Sequence, residues 1–272
     1  MTRSPSWFSL IQLMQPADFY VTMRALMLLC LILGLAASPA RAQDVAVGIT
    51  TTAQPFVITD PSGRLDGFNV ELARLLCARM GRTCSLEPTT FPQLLSRIEE
   101  GTFQMGFGNT LKTPEREKKM LFSAPIWRST SSFVTATTRP AIDPPQARAQ
   151  LRTCVVRKSM QEAFLAAQPG PDENIVAIST YRELFDGLTG GACDAALLPT
   201  VNVLDFLNRE QGRGYDYSGP PVDDSRLSGS VHIVVSKCRP DLLTALDAAI
   251  SAIKLDGSYR ILMARHFPFD IN

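Results

Sequence analysis

The sequence has two histidines, His232 and His266, and its charges nearly cancel: 27 lysines and arginines stand against 26 aspartates and glutamates over 272 residues. That balance excludes the strong basic excess of a nucleic-acid-binding domain, so no nucleic-acid partner is expected. With so few histidines, and cysteines not spaced as in a zinc knuckle, no metal site is expected. No nucleophile elbow, phosphate-binding loop or His/Asp/Ser constellation can be read. The chain is therefore not expected to be an enzyme, and no cofactor is implied. No run after residue 37 is apolar enough to cross a bilayer. No internal repeat at solenoid spacing is visible either.

One short apolar run does stand near the N-terminus. Met23-Arg24 precedes the run over 25–37, and Ala40-Arg41-Ala42 offers small residues at the two positions that determine cleavage. This reads as a secretory signal peptide over 1–42, cut after Ala42. No cysteine follows the small residues, so no lipid anchor is expected there. The exported chain is expected to be soluble and to work in an oxidising compartment.

Cys77, Cys84, Cys154, Cys193 and Cys238 remain after that cleavage, an odd number that leaves at least one thiol over. Cys77 and Cys84 lie between a helix end and a strand start, and their short loop pairs them.

The remaining chain alternates. A β-branched strand over 45–49 leads through a turn at Asp60-Pro61-Ser62-Gly63 into a helix over 69–80. An extended stretch over 85–88 follows, then a helix opened by Phe91-Pro92, then a strand over 103–107. Strand, helix, strand, helix, strand is the order of a parallel sheet covered on both faces. After a strand over 131–136, the Pro/Ala-rich passage 139–150 is the compositional candidate for a domain crossing. The alternation then restarts, and a strand over 231–235 and a long amphipathic helix over 240–255 close it.

The stretch 106–125 carries the most chemistry. Asn109-Thr110 reads as a polar turn, and Thr113-Pro114-Glu115-Arg116 as a helix start. Thr113 can accept from the first free amides, and Pro114 suits the first helical position because its missing N–H is not needed there. Arg116 stands where a capping box would put Glu or Gln. An arginine beside a helix N-terminus does little for that helix, but free amides and a guanidinium together make a receptor for a carboxylate or phosphate. A solvated surface arginine would give the same spacing.

Five strings in order, GITTTAQPF (48–56), GRLDGFNVELARLLCARM (63–80), TPER (113–116), FSAP (122–125) and LDGSYRILMARHF (255–267), resemble the extracellular solute-binding proteins of family 3. These are the polar-amino-acid receptors of ABC importers. The resemblance implies a two-lobed α/β periplasmic-binding-protein type II fold, each lobe a mixed or parallel sheet flanked by helices. Lobe 1 would be 43–130 with 235–272 and lobe 2 131–234, joined by hinge strands over 131–136 and 231–235. It implies a monomer in the periplasm that captures a small carboxylate-bearing solute and presents it to an inner-membrane ABC permease. A non-transport sensor or accessory protein is the alternative, and a dehydratase-like enzyme a further one.

Residue by residue, Arg116 matches the arginine that grips the ligand carboxylate, and Phe91 an aromatic that packs on the ligand. Ser159 opens a lobe-2 helix where the family uses hydroxyls and amides, with Met160 beside it. Thr50 in the first ligand loop, together with Asn109 and Thr110, completes the candidate set. The Cys77/Cys84 pair falls where basic-amino-acid and histidine receptors carry a disulfide. Cys154 and Cys193 would open adjacent strands of lobe 2, where a second disulfide would fit. The family's aspartate for the ligand ammonium is Pro199 here, and Leu111 stands where a serine or threonine is usual. A carboxylate ligand without an α-amino group is the sharper expectation, and an ordinary amino acid held by other acids, such as Asp205 or Asp223-Asp224, stays open.

Overall fold

The computed structural model describes residues 44–51, 55–60, 62–142, 144–269 and 271. The expected signal peptide lies outside the described residues.

From its N-terminal end the chain builds β1 (Val45–Thr50), the small hairpin β2 (Ile58–Thr59) and β3 (Leu65–Asp66), and helix α1 (Phe68–Arg79). It continues through β4 (Cys84–Thr89), α2 (Phe91–Glu99), β5 (Met105–Leu111), the single turn α3 (Pro114–Glu117), β6 (Met120–Phe122) and β7 (Trp127–Ser129). β4, β1 and β5 pair in parallel, as the strand–helix alternation requires. The chain then leaves this sheet at Thr130.

A second sheet follows: β8 (Ser131–Ala136), α4 (Pro144–Gln150), β9 (Thr153–Val156), α5 (Met160–Ala166), β10 (Ile175–Ile178), α6 (Tyr181–Thr189), β11 (Ala195–Pro199), α7 (Leu204–Leu207) and β12 (Tyr215–Tyr217). Its order is β10-β9-β11-β8-β12, with β10, β9 and β11 parallel and β8 antiparallel to β11. The Pro/Ala-rich passage is not a crossing. It is loop and α4 between β8 and β9, two strands of this one sheet.

The chain returns with β13 (Gly229–Ser236), which runs antiparallel to β5, β6 and β7, and ends in α8 (Pro240–Leu255) and α9 (Ser258–His266). The first sheet is thus completed by a strand from the far end of the sequence.

Each sheet has its own core. The first packs α1, α8 and α9 over Phe56, Phe68, Trp127 and Phe267, with the Phe56 and Trp127 rings stacked at 5.2 Å. The second buries Phe185 on Phe206 at 4.3 Å and carries the Cys154–Cys193 disulfide. Cys77–Cys84 ties the end of α1 to the start of β4. Cys238 is a free, exposed thiol.

Candidate functional site

The cleft between the two sheets is built at strand ends. Thr50 ends β1, Leu111 ends β5, Val156 ends β9 and Pro199 ends β11, and all four line it. Open α/β sheets leave such a crevice where their strands stop and the following loops diverge. The cleft encloses about 460 Å³, its open mouth included.

Local rules put the first-sheet side chains there. Thr90 caps α2, its hydroxyl accepting from the Gln93 amide while Gln93 reaches back to the Thr90 amide, a full capping box. Pro92 follows within the first turn. The helix then lies directly on β5, because a Cβ at Gly106 or Gly108 would sit 2.7 or 2.6 Å from the Leu94 side chain. That close approach sets Phe91 at the cleft wall, packed against apolar side chains of both sheets.

Arg116 follows from the cap read in the sequence: the Thr113 hydroxyl accepts from the Arg116 amide at 3.2 Å. Its side chain folds back over the cleft. Nη1 donates to the Leu111 carbonyl at 2.8 Å, Nη2 to the Lys158 carbonyl at 2.9 Å, and Cζ lies 5.5 Å from the Phe91 ring centre. Burial pulls its pKa down from the usual arginine value to about 10, which leaves it charged at neutral pH. No carboxylate pairs with it among the described residues, and none of the described residues lining the cleft is acidic.

The second sheet contributes neutral groups. Ser159 caps α5, its hydroxyl accepting from the Glu162 amide at 3.1 Å. Met160 and Gln161 follow, with Gln161 Nε2 donating to Ser131 at 2.8 Å. Tyr181, the first residue of α6, lines the cleft. Burial pushes the Tyr181 phenol pKa up, so it stays a neutral donor.

Of the expected residues, Thr50, Phe91, Asn109, Arg116, Ser159 and Met160 line this one cleft. Thr110 does not. It is wholly buried and stands opposite His232 in the β5–β13 ladder. Asn109 and Thr110 are strand rather than turn, although Asn109 takes φ 50°, and its Oδ1 accepts from Asn69. Gln161, Tyr181, Ser129 and Val156 were not foreseen. Thr180 signals only that a helix begins, not that its first residue faces the cleft.

The histidines have structural partners. His232 Nδ1 meets the Ser123 carbonyl at 2.6 Å, and His266 Nε2 meets Glu71 Oε1 at 3.0 Å. No group of three or more metal-ligating side chains occurs among the described residues.

The model of the bacterial extracellular solute-binding proteins, family 3, matches residues 45–269. The chain belongs to that family. Among its relatives is the L-arginine-binding protein of Pseudomonas aeruginosa, 28% identical over 232 residues, covering 84% of this chain and 90% of the relative. Another is the histidine-binding periplasmic protein of Escherichia coli K12, 26% identical over 239 residues, covering 87% and 92%. An ancestral arginine-binding protein bound to arginine superposes with a TM-score of 0.74 at 22% identity, covering 84% of this chain and 99% of that one. A histidine kinase sensor domain with similarity to periplasmic binding proteins gives 0.75 at 18%, covering 84% and 97%. These structures share the two-lobed fold. The family and these relatives are binding proteins, and this member's cleft wall carries a proline at residue 199.

Proposed function

We propose that this protein is a periplasmic receptor that captures a small carboxylate-bearing solute between its lobes and delivers it, as a monomer, to an inner-membrane ABC permease. The observation that carries this reading is Arg116: a half-buried guanidinium in the cleft wall, still protonated at neutral pH and without a counter-ion among the described residues. A cation drawn partly out of water without a counter-ion is costly, and a ligand carboxylate would supply the opposite charge and further hydrogen-bond acceptors. Enclosure between the lobes lowers the local dielectric and strengthens that contact.

The ligand lacks an α-ammonium. Pro199 stands where the family resemblance places the ammonium-binding aspartate, and no other acid among the described residues faces the cleft. An ammonium taken into this cleft would lose its water shell and meet only neutral groups and a like charge. The arginine- and histidine-binding relatives take ligands that do carry that ammonium, so this receptor shares their carboxylate end and not the other. Phe91, Met160 and Tyr181 supply apolar and aromatic packing, and the hydroxyls and amides of Ser129, Asn109 and Gln161 complete the wall.

A thermal-shift screen of the exported protein against carboxylates and amino acids tests the reading. A ligand at 100 times its dissociation constant adds about 2.7 kcal/mol of stability. The best hit should be a carboxylate without an ammonium, and Arg116→Ala should weaken it at least tenfold. Unchanged affinity in that variant removes Arg116 from the site. The same cleft would serve a sensor or accessory protein, and Pro199 favours that second reading by departing from the transport receptors' pattern. Co-purification with permease subunits decides between the two.

A further inference from the structure

Among the described residues, two non-glycine residues hold a positive φ, Asn109 at 50° and Lys158 at 61°. That region is sterically unfavourable for a residue with a Cβ, and such strain persists where the surroundings hold it in place. Lys158 closes the turn between β9 and α5, and its amide donates to Glu162 Oε2 at 2.6 Å within its own lobe. Its other two polar groups reach the opposite lobe. The carbonyl accepts from Arg116 Nη2 at 2.9 Å, and Nζ donates to Ser96 Oγ on α2 at 3.1 Å. Ser96 in turn donates to the Pro92 carbonyl at 3.1 Å, which fixes the lone pair it offers to the lysine.

A glycine would adopt this backbone without strain, and would leave Ser96 without its partner across the mouth of the cleft. The lysine therefore does something that the easier residue cannot. We propose that Lys158 is the positioning residue of this cleft. Its ammonium straps α2 to the second lobe, while its strained carbonyl aims and holds the Arg116 guanidinium, so that the binding geometry is assembled before a ligand arrives. Two hydrogen bonds are spent by Arg116 on the carbonyls of Leu111 and Lys158, one from each lobe. Its remaining N–H groups are then presented in a fixed direction rather than searching for one. A site organised in advance loses less freedom on binding, so the strap raises affinity without touching the ligand. The ligand arm of this inference rests on the proposed carboxylate function; the strap itself does not.

The test starts with no ligand. Small-angle X-ray scattering of the exported protein should show the unliganded wild type more compact than Lys158→Met or Ser96→Ala, with Lys158→Arg retaining the wild-type compactness. Hydrogen exchange in α2 and α5 should quicken at least threefold in the first two variants and stay within twofold of wild type in Lys158→Arg. Ser96→Ala is a mild change in a helix, so it keeps the test alive if Lys158→Met folds poorly. Identical scattering and exchange in wild type, Ser96→Ala and Lys158→Met would overturn the proposal, as would an opened Lys158→Arg. For the best carboxylate of the screen, Ser96→Ala should lower affinity three- to tenfold with Arg116 intact, and unchanged affinity there would remove the positioning role. If no carboxylate binds at all while the scattering result holds, the ligand assignment fails and the strap stands.

Discussion

Two regions of the molecule draw an arginine away from solvent, one almost wholly and one in part, and they treat its charge in opposite ways. In the second lobe Arg148 is almost wholly buried, and its Nη1 donates to the carbonyls of Leu165, Ala166 and Gln168 while Nη2 pairs with Asp172. Its charge and both terminal nitrogens are answered by the protein itself, while its Nε is left without a partner. In the cleft Arg116 finds two carbonyls and an aromatic ring, and its charge is answered by nothing among the described residues. The first charge has its counter-ion within the fold, and the second has none among the described residues. Burial of an arginine therefore says little about function until its counter-ion has been looked for.

The largest expected effect breaks the finished site. Arg148→Ala should cost about 3 kcal/mol of stability by chemical denaturation, because several buried carbonyls lose a charged donor at once. Affinity for the ligand should not change. Arg116→Ala should invert that result. It should cost about 2 kcal/mol of affinity, more than tenfold, with stability unchanged or slightly raised because a half-buried charge without a counter-ion has been removed. Loss of stability in both variants, with affinity kept in both, would erase the contrast.

Arg116 was legible because its signals are local: a threonine cap, a proline in the first turn and the arginine lie within four residues, and the resemblance gave that arginine a role. Phe91 was legible for the same reason, one residue after the cap of α2. Tyr181 and Gln161 were not, since what a helix start faces depends on how its sheet is set against the other. Asn109-Thr110 was misread as a turn because the strand that holds it straight comes from β13, with Thr110 paired to His232. A local reading cannot see a partner supplied from the other end of the chain. The same holds for the crossing between sheets. It falls at Thr130 with no change of composition, whereas the conspicuous Pro/Ala passage stays within one sheet.

A smaller change sharpens the comparison from the other side of the cleft. Pro199→Asp places a carboxylate on the neutral wall and should shift the preference toward amino acids by about tenfold, or 1.4 kcal/mol, in competition binding. An unchanged preference would mean that residue 199 does not face the ligand's α-position.

The smallest expected effect concerns His232, whose pKa is lowered chiefly by burial. Because its folded pKa lies below the unfolded value of 6.5, the unfolded chain binds the proton more readily. Its contribution to stability is complete above that pH and falls as the pH drops below it. His232→Gln should therefore flatten the decline in melting temperature between about pH 6.5 and 5 relative to wild type. An equally steep decline in the variant would assign the slope to other groups.

The most direct measurement is a calorimetric titration of the exported protein with matched pairs, each a 2-oxo acid and the amino acid of the same side chain, at one pH and ionic strength. The oxo acid should bind at least tenfold more tightly, and Arg116→Ala should abolish the difference by weakening it. An amino acid that binds more tightly than its oxo-acid partner would contradict a cleft made for a carboxylate and no ammonium.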